Sequence, residues 1–318
     1  MGKLGPGTWE GGLLIGQGQD GGLGEGGFNT VDPSHKPQSL GHIHAQGEGA
    51  TFILNGASEE PLWGGRLRVN ARVLRNPYDS NKSDSFTTPT VQTTREHQDD
   101  NPFQTEFGAR YSHGLGKRSS FETVLLRQDK TERYADNFQT PTDAQPLHQN
   151  TTTAETIARA VAKFQQTPKL SWEVGAEAAD NTFENRILFS DNGTPIPLPA
   201  SNVDVDEKRG EIFGKVVWQA SRTLTVEGGV REEGSEIASS GDVIQQKTLY
   251  YTKPRALVTW SPDDSTQVRF RLERAVGQLD FGAFVASTSF SAGVVTVGNP
   301  KLVPEQDLVS EVAIERRF

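Results

Sequence analysis

The sequence predicts an all-β protein, an antiparallel up-and-down transmembrane β-barrel in which about twelve strands of a larger barrel are visible. Three observations lead to this fold class. Many segments alternate between apolar and polar residues, short and long connections alternate along the chain, and most tryptophans lie beside the short connections. The apolar share of 34% is also well below the roughly 45–50% of soluble globular domains. A soluble core of this size would therefore lack apolar side chains.

Period-two alternation identifies the strands, because it places apolar residues on one face and charged residues on the other. The clearest segments are 66–73, 103–111, 169–178 and 267–273. Less regular strands are predicted at about 8–16, 41–55, 119–130, 154–164, 209–218, 223–234, 247–260 and 305–318. Many of these segments run about 10 to 14 residues, close to the roughly 9 to 11 tilted residues that cross a bilayer.

The connections between these strands alternate strictly between short and long. Short turns are predicted at 114–118, 165–168, 219–222 and 261–264, and long polar loops at about 76–101, 131–153, 190–208, 235–246 and 276–304. Proline favours tight reversals because it presets φ, and Asp can bond the backbone beyond it. The alternation is typical of an outer-membrane barrel, with tight turns on the periplasmic rim and long loops on the extracellular rim.

Aromatic residues give an independent indication of the same rim. Trp63, Trp172, Trp218 and Trp260, four of the five tryptophans, fall within a few residues of a short turn, as do Tyr111 and Phe164. Amphipathic rings prefer the membrane interface. Their positions predict an aromatic girdle at the periplasmic side of the bilayer, for which a soluble sandwich has no need.

The charged residues of the regular strands share one parity within each strand. Charge on the lipid face of a barrel costs about 2–4 kcal/mol at the bilayer midplane, so this parity is expected to face the lumen. The residues concerned are Arg66, Arg68, Arg72, Arg269, Arg271, Glu173, Glu177 and Glu273. They predict either a hydrogen-bonded network inside a wide barrel or the lining of a water-filled, charge-selective pore.

Composition excludes several classes of function. The chain has no cysteine, so neither a disulfide framework nor a cysteine-based metal site is possible. Its net charge of −9 argues against a general nucleic-acid binder, which would carry a basic patch. No apolar run reaches the roughly 18 residues of a membrane helix, and residues 1–7 lack the basic start of a signal peptide.

Two short motifs are interpreted as structural. Gly16–Gly21 is a literal GxGxxG after a strand-like segment, but the glycine-rich residues that follow cannot form the helix that a dinucleotide site requires. We interpret it as a flexible loop. His42 and His44 lie two apart on one face of a strand without a third ligand nearby in sequence. We interpret them as polar residues at a barrel rim or lumen.

Neither the acidic residues of the predicted loops nor any sequence motif indicates a metal site or an active site. Calcium accepts such oxygen ligands, but Glu96, Asp99 and Asp100, like the acidic residues at 204–207, fit no EF-hand pattern and are interpreted as solvated charge. The chain contains neither GxSxG nor HExxH. The sequence therefore predicts a protein that is not an enzyme, with no catalytic residue, no cofactor and no metal site.

Residues 298–305, Gly-Asn-Pro-Lys-Leu-Val-Pro-Glu, introduce a final strand in which Leu308, Val312 and Ile314 share one parity. This segment resembles the GNPxLxPE signature of TonB-dependent outer-membrane receptors. Residues 271–281 are similar to the strand and loop entry that precede the signature in that family. The specific similarity covers about a tenth of the chain, whereas the barrel pattern covers most of it.

The resemblance implies an active transporter in the Gram-negative outer membrane. Such a receptor has about 22 strands around a plugged lumen, takes energy from a TonB complex through its plug, and imports iron-siderophores, cobalamin or saccharides. Its partners would be outer-membrane lipid, the TonB complex and a small-molecule ligand, with no nucleic acid. Ligand contacts would come from the plug and from variable loops, so ligand-binding residues stay undefined. The loops at 76–101, 131–153 and 276–304 are the first candidates.

The sequence departs from the family pattern in three respects. It shows no plug domain, no TonB box and only about twelve strands. Residues 1–318 are therefore expected to form a single, partial barrel domain, a fragment of a larger receptor that lacks the plug and the last strands. A complete twelve-stranded barrel is the less favoured reading. A passive outer-membrane porin and, less favoured, a soluble β-rich binding protein remain as alternative functions.

Overall fold

A computed structural model describes residues 2–19, 23–285, 287–289, 294–296, 298–299 and 301–317. The strands are β1 Gly2–Leu4, β2 Gly7–Gln19, β3 Glu25–Val31, β4 Pro37–Leu62, β5 Gly65–Arg75, β6 Tyr78–Thr88, β7 Gln92–Gly114, β8 Ser119–Gln139, β9 Ala144–Thr167, β10 Leu170–Asp191, β11 Thr194–Pro195, β12 Asn202–Gln219, β13 Leu224–Gly241, β14 Gln245–Trp260, β15 Thr266–Val276, β16 Ser287–Ser289, β17 Val294–Thr296 and β18 Gln306–Arg316. One 3₁₀-helix, η1, spans Phe281–Phe284. Within the described ranges, no helix is long and apolar enough to span a membrane.

The strands form one large antiparallel sheet in up-and-down order, as the sequence predicts. The main path runs β1-β2-β4-β5-β7-β8-β9-β10-β12-β13-β14-β15-β18, and β3, β6 and β11 pair beside it. The described residues thus contribute 16 strands to this sheet, more than the twelve or so predicted. In the described part of the chain, the first and last strands of the path, β1 and β18, each pair on one side only. The sheet as a whole is therefore part of a barrel wall with two open edges.

The short turns predicted at 114–118, 165–168, 219–222 and 261–264 lie at one rim of the sheet, and the structure adds a further turn there that was not predicted. Two residues, Trp63 and Gly64, join β4 to β5 with φ values of 49° and 78°. Positive φ at both central positions matches the type I′ turn that suits the twist of antiparallel strands. The connections at this rim are all short: β9 and β10 are joined by two residues, and β12 and β13 by four. This end of the sheet is the periplasmic rim of the predicted barrel.

Most of the predicted long loops are in fact β-hairpins, and this part of the prediction is wrong. The segment 76–101 contains β6 and the start of β7, and the segment 131–153 contains the end of β8 and the start of β9. The described residues of the β15–β18 connection, which include η1 and the short strands β16 and β17, lie outside the large sheet, as a long loop would. Period-two hydropathy cannot detect the hairpins because both faces are polar there, yet backbone hydrogen bonds continue the pairing.

The outer face carries an apolar belt beginning at the periplasmic rim. On β10 it runs from Trp172 through Val174 to Ala178, and Asp180 is the first charge above it on the same face. The apolar belt ends at the same height on nearby strands. Lys208 on β12 pairs with Asp180, and Arg127 on β8 lies at the same level, one strand beyond β9. An apolar band bounded by an aromatic girdle is the lipid-facing surface of an outer-membrane strand. The hairpins above Asp180 therefore project outside the bilayer.

Candidate functional site: the inner face and its docked loop

Ion pairs cross the inner face at the level of the belt, on the side of the strands opposite to the lipid. Arg209 on β12 lies 3.6 Å from Glu177 on β10 and 3.9 Å from Glu233 on β13. Glu233 in turn lies 2.8 Å from Lys253 on β14. Side chains of alternating charge thus connect four neighbouring strands.

A second row of contacts begins at the same lysine. Lys253 lies 2.5 Å from Glu211, which also accepts a hydrogen bond of 2.8 Å from Arg231. Glu211 is only 6% exposed. A carboxylate buried to this degree is stable when cations and hydrogen bonds compensate its charge. We call these six residues the inner-face network: Glu177, Arg209, Glu211, Arg231, Glu233 and Lys253.

Phe213 forms an aromatic centre beside this network. The guanidinium carbons of Arg159 and Arg231 lie 4.9 and 5.0 Å from the centre of its ring, within cation–π distance. Opposite the ring, Gly175 provides the space that it occupies, because a Cβ at this position would lie 2.3 Å from Phe213 Cζ. The Phe213 ring therefore positions two arginine side chains of the inner face, Arg159 and Arg231.

We expect Gly175→Ala to displace Phe213 and to destabilise the protein by about 1–3 kcal/mol, the usual cost of overpacking. The new methyl would also lie 2.7 Å from the carbonyl oxygen of Ala160, which is backbone and cannot swing away. Unfolding in denaturant measures the change. Gly228→Ala is the matched control, since nothing lies within 4 Å of its added Cβ. Equal stability of the two variants would contradict this role of Gly175.

We call residues 277–305 the docked loop, because its described residues fold back onto the inner face at the extracellular end. Phe284 of η1 is 2% exposed and packs in a cluster with Val203 and Val205 of β12, which are 0% and 1% exposed. Phe183 on β10 and Ile237 on β13 complete the strand side of this cluster. Since Val203 and Val205 share the parity of Arg209, the loop covers the face that carries the inner-face network.

Polar contacts fix the docked loop at both ends and join it to the charges below. Lys247 Nζ donates a hydrogen bond of 2.8 Å to the Leu302 carbonyl oxygen, and Gly277 N donates to the Glu305 carbonyl oxygen at 2.9 Å. With its amide oxygen turned toward Arg209, Gln278 accepts from both terminal guanidinium nitrogens at 3.0 and 3.2 Å. The loop and the inner-face network are therefore in direct contact through Arg209.

The structure confirms the predicted orientation of the charged strand residues. Arg68 pairs with Glu10 on the inner face, and Glu173 lies 3.9 Å from Lys163 and 3.8 Å from Lys215. Arg66, Arg72, Arg269, Arg271, Glu177 and Glu273 have the same inward parity. Most of these charges lie within ion-pair distance of an opposite charge, which agrees with the network interpretation of the sequence.

The two motifs interpreted as structural lie near the extracellular end. Gly16–Gln19 continue β2 in pairing with β4, so the interpretation as a flexible loop is wrong for these residues, and residues 20–22 lie outside the described residues. His42 and His44 lie 3.5 and 3.9 Å from the same carboxylate, Glu25 on β3. Sequence spacing could not show this third residue. Among the described residues, no group of three or more His, Cys, Asp or Glu is placed to hold a metal ion.

The acidic residues of the predicted loops have different environments. Asp99 is exposed on the outer face of β7, in agreement with solvated charge. Glu96 points inward, and its side chain is only 10% exposed, so the interpretation as solvated charge is wrong for this residue. The nearby Asp136 on β8, which sequence reasoning did not single out, is 3% exposed. Buried carboxylates in a polar segment leave no signal in hydropathy.

Comparison with known families covers most of the chain. The family model described as TonB dependent receptor-like, beta-barrel matches residues 44–306. No curated protein sequence matches the chain.

Solved receptor structures share the fold. The P. aeruginosa receptor FpvA, solved with heterologous pyoverdines, superposes with a TM-score of 0.58 at 11% identity over 97% of this chain and 46% of FpvA. The ferric-catecholate import receptor Fiu from E. coli K12 gives 0.56 at 10% identity, with 98% and 55% covered. The ferric citrate transporter FecA gives 0.50 at 12% identity, with 95% and 49% covered. The chain thus spans about half the length of these receptors.

Proposed function

Because the chain belongs to the family of TonB-dependent receptor β-barrels, we propose that it forms part of the wall of a receptor that imports a scarce nutrient, with a ferric siderophore as the favoured ligand class. Members of this family are transport receptors of the Gram-negative outer membrane and not enzymes. The family therefore places this chain in the outer membrane. Its ligand and its use of TonB belong to the proposal.

The observation that carries the proposal is the docked loop above the inner-face network. At the extracellular mouth of the proposed barrel, the loop presents the partly buried side chains of Phe281 and Leu279 beside the fully buried Phe284. Aromatic and apolar surface with a few polar groups is the usual lining of a site for a small organic ligand. A metal chelate entering the mouth would meet this surface before it reached the charged residues below.

The inner-face network and the charged residues beside it suit contact with a second structural element inside the barrel. The side chains of Arg231, Arg255 and Lys215 are 48%, 49% and 40% exposed although each lies within 4 Å of a carboxylate. Their remaining donors can bind backbone carbonyls or carboxylates of a plug that fills the lumen. Energy from TonB would then act on the plug, and the strands would serve as a fixed frame.

Uptake measurements in cells test this function. In a strain lacking the gene for the full-length protein, we expect reduced uptake of radiolabelled iron from at least one member of a panel of ferric siderophores. The full-length gene should restore it, and the restored uptake should disappear when TonB is deleted. Uptake that continues without TonB would overturn the proposal in favour of a passive channel, which liposome-swelling assays would then detect.

A further inference from the structure

The turns at the periplasmic rim differ in charge along the sheet. The consecutive turns β7–β8, β9–β10 and β12–β13 carry cations and no carboxylate. The cations are Lys117 and Arg118 in the first turn, Lys169 in the second and Arg222 in the third, and we call these four residues the basic rim arc. The next turn, between β14 and β15, carries Asp263 and Asp264 and no cation. In a chain whose net charge is −9, positive charge is thus concentrated on one part of this rim.

Backbone hydrogen bonds join the three basic turns into one surface. Gln165 N at the end of β9 donates to the Arg118 carbonyl oxygen at 2.7 Å, and Gln219 N at the end of β12 donates to the Lys169 carbonyl oxygen at 2.8 Å. Arg118 Nη1 also donates to the Gln166 carbonyl oxygen at 3.3 Å. The cations of neighbouring turns therefore follow one another along a hydrogen-bonded edge.

The four side chains of the arc have no counter-charge in the described part of the chain. All four residues are exposed, and none of them forms an ion pair with a described carboxylate. The carboxylates a few residues above these turns have other partners. Glu122 lies 3.6 Å from Arg110, and Glu173 lies 3.9 Å from Lys163 and 3.8 Å from Lys215. Exposed cations in such an arrangement attract anions from the surroundings.

Aromatic side chains indicate the depth of the arc in the membrane. The rings of Phe164 and Trp172 stack with their centres 4.0 Å apart. Trp172 follows Lys169 by three residues, and Trp218 precedes Arg222 by four. Tryptophan prefers the interface between hydrocarbon and headgroups, so the residues next to it on the side of the water lie at the level of the lipid phosphates. The stems of Lys and Arg are long enough to place their charge there.

We propose that the basic rim arc is a binding site for the headgroup phosphates of acidic phospholipids in the periplasmic leaflet. The arc is continuous with the apolar belt and its aromatic girdle, so a lipid whose chains lie on the belt has its headgroup beside the cations. Lys and Arg bind phosphate oxygens through charge-assisted hydrogen bonds. The site selects lipids by headgroup charge, and it depends neither on the transported ligand nor on TonB.

The opposite boundary of the belt lacks this excess of positive charge. There Arg127 Nε donates to Asp129 Oδ2 at 2.9 Å, and Lys208 lies opposite Asp180 on the neighbouring strand. Each of these cations thus has a carboxylate beside it. Acidic headgroups should therefore be favoured at the basic rim arc and not at the extracellular boundary.

Lipid photolabelling of the full-length protein in phosphatidylcholine vesicles tests the site. A trace of photoactivatable phosphatidylglycerol or phosphatidylcholine, each with a diazirine close to the headgroup, is cross-linked by light, and mass spectrometry locates the labelled peptides. At low ionic strength we expect phosphatidylglycerol to label residues 114–118, 165–170 and 219–223 about fivefold more than phosphatidylcholine, the factor that one cation near a lipid surface supplies. Residues 261–265 should show no such preference, and added salt should reduce it elsewhere by screening the charges.

A variant with glutamine at all four positions of the arc should be labelled equally by the two lipids. Its substitutions are Lys117→Gln, Arg118→Gln, Lys169→Gln and Arg222→Gln. The control combines Arg127→Gln with Lys208→Gln and should keep the preference of the wild type at the rim. Inorganic phosphate should displace phosphatidylglycerol no better than sodium chloride of the same ionic strength does.

Equal labelling of the wild-type rim by the two lipids would overturn the proposal, and this measurement does not depend on the folding of any variant. A preference that persisted in the glutamine variant would also overturn it, because the cations would then serve another partner, such as an acidic protein. Displacement by inorganic phosphate beyond the effect of ionic strength would identify a site for a free anion and would overturn the assignment to lipid.

Discussion

Replacing Phe284 with alanine is expected to release the docked loop from the inner face, at a cost of about 3–5 kcal/mol for an aromatic core side chain. Phe284 is 2% exposed and packs against Val203 and Val205 of β12 and Ile237 of β13. The strands keep their own hydrogen bonds, so the loss should be local to residues 277–305. Limited proteolysis should cut the variant within this segment under conditions that leave the wild type intact.

A glycine pair tests the same docking without removing an aromatic residue. At Gly298 an added Cβ would lie 2.1 Å from the carbonyl oxygen of Phe284, so Gly298→Ala should also undock the loop. At Gly277 the nearest atom to an added Cβ is the Glu305 carbonyl oxygen at 3.8 Å, an ordinary contact. Gly277→Ala should therefore resist the protease as the wild type does. If Phe284→Ala and Gly298→Ala both resisted the protease as well as the wild type, the packing of Phe284 would not be what docks the loop on the inner face.

Undocking also bears on transport, because the loop contacts the network through Gln278 and Arg209. For the proposed ferric-siderophore ligand, Gly298→Ala should lower the affinity in the uptake assay while the amount of receptor in the outer membrane stays unchanged. Gly277→Ala again serves as the control.

The second large effect is expected on the lipid face. Val174 lies near the middle of the apolar belt of β10, is 44% exposed, and has only Ala162 and Gly214 opposite it on the neighbouring strands. Val174→Arg would place a charge in hydrocarbon with no anion beside it, at a cost of about 2–4 kcal/mol. The yield of folded full-length protein in phospholipid vesicles and its unfolding in denaturant measure the loss.

Leu188 on the same strand provides the control for this substitution. It is 70% exposed and has the same outward parity as Val174, but it lies above Asp180, where the outer face is already charged. Leu188→Arg should change stability by no more than about 0.5 kcal/mol, as for most surface substitutions. If both arginine variants were equally stable, the belt would not be the lipid-facing surface.

The sequence predicts the periplasmic half of this wall well because two physical requirements act there together. Lipid demands an apolar outer face, and the inner face remains polar, so residues such as those from Trp172 to Ala178 alternate with charged residues and glycine. Tight turns such as Trp63–Gly64 must follow at the rim. The predicted lumenal parity of Glu173 and Glu177 was confirmed for the same reason.

The extracellular half was predicted poorly because neither requirement holds above the bilayer. The strand Gln92–Gly114 begins with ten residues, from Gln92 to Asn101, that contain no aliphatic residue and no Phe, Tyr or Trp, yet they pair with β6 and β8 through backbone hydrogen bonds. Hydropathy cannot assign such residues to strand or loop. The ligand-contact residues and the treatment of residues 1–318 as one domain remain predictions.

By itself, the sequence determined the class of fold, the lipid-facing parity and the rim of tight turns, because each is imposed locally by hydrocarbon, water or backbone geometry. Only the tertiary structure decided which distant residues meet: Phe284 with Val203, and Gln278 with Arg209. It also decided that Asp136 lies buried beside Gln98 and Glu96. Such contacts join residues far apart along the chain, and their energies depend on burial and strand register, which leave no periodic signal in the sequence.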